Sequence, residues 1–117
     1  MKLLATAVPL VDDLCAALSG ITGIETASSR FGSGANRAWR IAGREIAHLH
    51  SSSRVDHRLP PALQARLRSD PHAHPRADRS EWMELEFHTH ADVAKIAVLA
   101  GEAAAAQCAR SEREKRR

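Results

Sequence analysis

The chain has 117 residues, is 44% hydrophobic and 26% charged, and carries a formal net charge of +3 when its seven histidines are neutral. That length suits one domain with a single modest core and excludes two. No run approaches the ~20 apolar residues of a membrane span, so a soluble, cytoplasmic protein is expected.

Residues 1–8 begin like a short signal peptide, but Pro9 and the pair Asp12 and Asp13 interrupt it before a cleavage site. Residues 8–18 read as an amphipathic helix: Val11, Leu14, Cys15 and Leu18 recur at helical spacing, and Ser19-Gly20 ends it. Residues 24–29 are a weak strand, 31–36 a glycine-rich turn and 38–42 the next strand, with Gly43-Arg44 as a tight hairpin connection. In the strand 45–50, alternation puts Ile46, His48 and His50 on one face and Ala47 with Leu49 on the other. Ser51-Ser52-Ser53 turns the chain into 54–59. There Val55, His57 and Leu59 share one face, and Arg54, Asp56 and Arg58 the other.

Pro60-Pro61 stops that strand and opens a short helix with Leu63 and Leu67. Residues 69–80 form a polar loop holding His72 and His74. In the strand 82–88, Met83, Leu85 and Phe87 alternate with Trp82, Glu84, Glu86 and His88. Thr89, with Asp92 three residues on, caps a final helix whose packing stripe is Val93, Ile96, Ala97, Ala100 and Ala104. Residues 1–109 would be the domain, and 110–117 a solvated, frayed charged tail. The order α-β-β-β-β-α-β-α predicts an α+β fold. It would be a two-layer sandwich with an antiparallel sheet of about five strands and helices on one face.

Histidine is the side chain that most readily serves as base or metal ligand near neutral pH. His48 and His50, two apart on a strand, project about 7 Å apart from one face. That spacing fits either a metal pair or a half-exposed polar face. His72 and His74 sit in a loop, where functional groups concentrate. Asp56 and Arg58 share a face and read as an ion pair, whereas Asp56 and His57 point opposite ways. His57, His72, His88 and His90 read as structural or solvated. Cys15 and Cys108 read as buried free thiols, with no CxxC or CxxH spacing for structural zinc. No nucleophile elbow or phosphate loop is present. Without the basic tail the body is near neutral, which makes nucleic-acid binding unexpected.

Several elements, in order, resemble the luciferase-like family, the small domain shared by fungal luciferases and short bacterial proteins. They are Ala47-His48-Leu49-His50, the serine turn, Arg54 to Pro60, Pro61-Ala62-Leu63, His74-Pro75, Trp82-Met83-Glu84-Leu85 and Ala91-Asp92-Val93. Where the family often carries Gly-Trp before its His-Pro, this chain has Arg68-Ser69-Asp70-Pro71-His72. Fungal luciferases oxidise a hydroxypyrone with molecular oxygen, without metal or flavin. The resemblance therefore implies a polar pocket of His50, Asp56, Arg58, His74 and Trp82, with His48 as a companion and no cofactor or metal. His50 or His74 would be the base, Arg58 would stabilise an oxyanion, and Trp82, Asp56 and His48 would bind a small enol-type aromatic. The other expectation is a binding or interaction module without chemistry.

Overall fold

A computed structural model describes residues 8–28, 37–76 and 80–116. Its elements are α1 (Leu10–Ser19), β1 (Ile24–Ser28), β2 (Arg37–Ile41), β3 (Arg44–Ser51), β4 (Arg54–Arg58), α2 (Pro61–Arg66), β5 (Ala73–Pro75), β6 (Trp82–Glu86) and α3 (His90–Lys115). The six strands form one antiparallel sheet in the order β1-β2-β3-β4-β6-β5. The fold is α+β, with one strand more than the expected five. The added strand is β5, inside what reads from sequence as a loop; three residues with a proline carry no alternating pattern. The glycine-rich turn at 31–36 lies outside the described residues.

One face of the sheet makes the core. Trp39, Ala47, Val55, Met83, Leu85 and Phe87 meet Leu14, Cys15 and Leu18 of α1 and Val93, Ile96, Leu99, Ala100 and Ala103 of α3. Removing Phe87 alone from water is worth about 2–3 kcal/mol. Trp39 is fully buried, and its indole N–H donates to Ser19 Oγ at 3.2 Å. Thr89 opens α3 with a reciprocal capping box, its hydroxyl accepting from the Asp92 amide and Asp92 accepting from the Thr89 amide. Cys15 is buried as expected. Cys108 is exposed, because it falls on the solvent side of α3.

α3 runs on to Lys115, so residues 110–115 lie in the helix, exposed from Glu112 onward. Arg110 in this last stretch lies 3.9 Å from Glu114 one turn on and 3.7 Å from Glu81. Among the described residues no helix is long and apolar enough to cross a membrane.

The hairpin between β2 and β3 turns at Ala42-Gly43, one residue earlier than the sequence suggests. Both residues have positive φ, 52° and 79°. A two-residue hairpin of this kind favours Asn-Gly, and alanine is strained there.

β3 departs from simple alternation twice. Its pairing with β2 slips between Trp39 and Arg40, leaving Ile46 as an extra residue. Ile46 thereby joins the core with Ile41 and Ala104, 1% exposed. This corrects the expectation that it shares a face with His48. A second slip, against β4, leaves His50 as the extra residue between Leu49 and Ser51. Such bulges bend a strand and re-aim its side chains.

His57 is fully buried on the core face, and its Nδ1 lies 3.1 Å from the Arg58 carbonyl oxygen. Burial pushes its pKa down from 6.5 to about 4. The unfolded chain therefore binds a proton below pH 6.5 that the folded chain refuses until about pH 4. Stability should fall by on the order of 3 kcal/mol across that interval. Urea unfolding of a His57→Phe variant at pH 7 and pH 4.5 should show a smaller acid loss than the wild type. Separately, Ala42→Asn should raise the urea midpoint, by about 1 kcal/mol in stability.

Candidate functional site

The sheet face opposite the helices carries the polar residues. In-register pairing places His48 opposite Asp56, Asp56 opposite Glu84, and Glu84 opposite His74. One row of titratable groups therefore crosses β3, β4, β6 and β5. On either side lie Arg58 opposite Trp82, and Arg54 opposite Glu86.

Asp56 is the most buried charged group on this face, 3% exposed. Its Oδ2 lies 3.0 Å from His48 Nε2 and 3.3 Å from His50 Nδ1. Its Oδ1 is buried with no hydrogen-bond partner among the described residues. Burial alone would raise its carboxyl pKa. The hydrogen bond from His48 and the charges of His48 and His50 outweigh that, holding it below the ordinary value.

His48 is gripped from both sides. Its Nδ1 lies 3.0 Å from Glu45 Oε2 while its Nε2 meets Asp56. The bulge at Ile46 makes this possible, since residues three apart on a regular strand point to opposite faces. Burial works against the charged ring, but the Asp56 hydrogen bond and the charges of Asp56 and Glu45 prevail and raise its pKa above 6.5. Both ring nitrogens face carboxylates, which favours the protonated ring and leaves neither nitrogen turned toward a metal.

His50 is arranged differently. Asp56 engages Nδ1, the ring is half exposed, and Nε2 lies 3.9 Å from Glu84 Oε2. Arg54 in turn binds Glu84 at 2.8 Å. The ion pair expected between Asp56 and Arg58 does not form. The histidines occupy Asp56, while Arg58 Nε donates to the Glu45 carbonyl at 3.2 Å and Nη1 lies 3.8 Å from Glu81. The Arg58 guanidinium sits 4.7 Å from the Trp82 ring centroid, and the His48 ring lies 5.0 Å from it at 46°. Trp82 therefore lies against both the Arg58 guanidinium and the His48 ring.

The structure brings His48, His50, Asp56, Arg58 and Trp82 together and places His74 in a second group. β3 and β5 are separated by β4 and β6, roughly 14 Å at the backbone. His74 Nε2 hydrogen-bonds Glu86 Oε2. Glu86 Oε1 lies 2.8 Å from His88 Nε2 and 3.7 Å from His72 Nδ1. Hydrogen bonds from His88 and His74 hold the Glu86 carboxyl well below its usual range. His72 and His88, expected to be merely structural or solvated, surround one carboxylate. Their signal was the pair of patterns His72-x-His74 and Glu86-x-His88, meaningful once β5 pairs with β6. His90 stands apart and binds Asp13 of α1. Two cavities lie off this row. One of about 420 Å³ is bounded by Gln64, Leu67, Ala73 and Met83, and one of about 170 Å³ by Ile46, Arg58 and Arg110.

Removing the Asp56 charge should expose how the first group is held. Its contribution is lost as pH falls through the lowered Asp56 pKa, below 3.8. The His48 contribution is full below 6.5 and lost as pH rises through its raised pKa. Asp56→Asn should therefore cost on the order of 2 kcal/mol near pH 5.5 and clearly less at pH 9, read as the difference from wild type in urea unfolding.

A family model described as the luciferase domain matches residues 43–103, just over half of the chain. The match runs from the β2–β3 turn into α3 and contains every residue of both groups. Neither the curated proteins nor the solved structures yield a match. The chain, with its polar row on the open sheet face inside the matched segment, belongs to the luciferase domain family.

Proposed function

We propose that the open face binds a small planar enol-type acid, deprotonates it, and presents the enolate to dioxygen. The observation that carries this reading is the buried Asp56 carboxylate shared by one doubly held histidine and one half-exposed histidine. His50 is the base: Asp56 orients it through Nδ1, leaving Nε2 directed away from that bond to take the enol proton. His48 and Arg58 supply positive charge beside the developing oxyanion, and Trp82 fixes both without itself stacking on the ligand. Family membership is consistent with such chemistry and does not by itself assign it.

The enol O–H proton moves to His50 Nε2, and the enolate carbon forms a bond to dioxygen. Oxygen is reduced to the peroxide level as that carbon is oxidised, and the proton on His50 passes to the terminal peroxide oxygen.

The test uses 4-hydroxy-2-pyrone as probe, with tryptophan fluorescence for binding and an oxygen electrode for turnover. Wild type should bind saturably and consume oxygen. His50→Gln should keep binding and lose about 100-fold or more in oxygen uptake. Arg58→Leu should weaken binding by about tenfold, the loss of one charge-assisted contact. Saturable binding without oxygen uptake would leave a binding module and remove the chemistry. Absence of saturable binding would remove the reading altogether.

A further inference from the structure

We propose that His72, Glu86 and His88, with His74 beside them, form a site for one divalent first-row transition-metal ion of the zinc class, clasping edge strand β5 to the β6–α3 junction. This site is separate from the Asp56 group and independent of the function proposed for it.

The convergence comes from the sheet. Ala73 opposes Leu85, so the preceding His72 meets Glu86, and the Glu86 amide donates to the His72 carbonyl at 2.8 Å. One atom from each of His72, Glu86 and His88 lies within 4.8 Å of the other two. Two of those separations are already 2.8 and 3.7 Å, and the His72 and His88 rings lie 5.3 Å apart. Ligands about 2.1 Å from a tetrahedral ion lie about 3.4 Å from one another. Small rotations of two half-exposed rings suffice to close the set.

Carboxylates outside the donor set hold the two flanking backbones. Asp70 Oδ1 accepts from the His72 amide at 2.8 Å, and Asp92 Oδ2 accepts from the His88 amide at 2.8 Å. Asp70 is tied to Lys95 of α3. The backbone at both histidines is therefore held before any ion arrives, while the rings remain able to turn.

The donor set indicates the class of ion. Two imidazoles and one carboxylate, with the His74 imidazole on the other oxygen of that carboxylate, suit zinc, cobalt, nickel or copper, and not magnesium or calcium, which take oxygen ligands. The other such trio among the described residues, His50, Asp56 and Glu84, is a poorer candidate. There Asp56 Oδ2 already serves two histidines, and a guanidinium hydrogen-bonds Glu84 at 2.8 Å. The hydrogen bonds to the Glu86 side chain come from imidazoles, which exchange a proton for a metal. A clasp also has a structural purpose, since β5 is three residues long and, among the described strands, pairs only with β6.

The experiment uses untagged, chelator-stripped protein. Co2+ is titrated by its visible absorption, and Zn2+ by displacement of Co2+ and by thermal unfolding. One ion per chain is expected, with tighter binding of Zn2+ than of Mg2+ and a Tm that rises with Zn2+ concentration. The pair of changes His72→Ala and His88→Ala should abolish binding, and Glu86→Gln should weaken it by about 100-fold or more. His50→Ala should bind as wild type. Far-UV circular dichroism of the metal-free variants checks folding, and His88→Gln alone, the mildest change, should still weaken binding. No stoichiometric binding at micromolar Zn2+, binding that survives loss of His72 and His88, or binding lost in His50→Ala would each overturn the site. Pyrone binding by the stripped protein reports on the Asp56 group separately.

Discussion

Asp56 is 3% exposed, yet it is an acid on a sheet face that water can reach. A buried carboxylate is tolerated only where donors replace its hydration, and two imidazoles do so here. Much of the open face follows from that requirement. His48 serves both Asp56 and Glu45, which favours its charged form, and its ring lies against Trp82 beside Arg58. With the histidines on Asp56, Arg58 turns instead to the Glu45 carbonyl and Glu81. One buried carboxylate thus bears on the partners of His48, His50 and Arg58.

β3 makes this possible by carrying two residues more than its neighbours can pair. The bulge at Ile46 feeds an apolar side chain to the core and swings Glu45 to the His48 side. The bulge at His50 re-aims that ring toward Asp56 and Glu84. The same strand therefore serves both layers: Ile46 and Ala47 in the core, Glu45, His48 and His50 on the open face. The alanine at the preceding hairpin is a local strain that the surrounding ladders hold in place.

Much of this was legible in the residues. The alternation in 54–59 and 82–88 correctly sorted Asp56, Arg58, Trp82, Glu84 and Glu86 to one face and Val55, His57, Met83, Leu85 and Phe87 to the other. Strict alternation failed in β3 because a bulge is set by pairing with a neighbouring strand, which no local pattern records. Arg58 was sorted to the correct face but given the wrong partner, since partner choice depends on which charges burial forces together. β5 and its cluster were hidden because a three-residue edge strand containing proline resembles a loop. The helical end of α3 was hidden by its charge density, which reads as a tail until Arg110 is seen to meet Glu81 across the fold.

The most direct test is a pH titration of the His48 ring by nitrogen-15 and proton NMR. Held between Asp56 and Glu45, the ring should titrate above 6.5 with protons on both nitrogens at pH 6, and its midpoint should fall in Asp56→Asn. A midpoint at or below 6.5 in the wild type, or a single protonated nitrogen at pH 6, would contradict the arrangement of charge around Asp56.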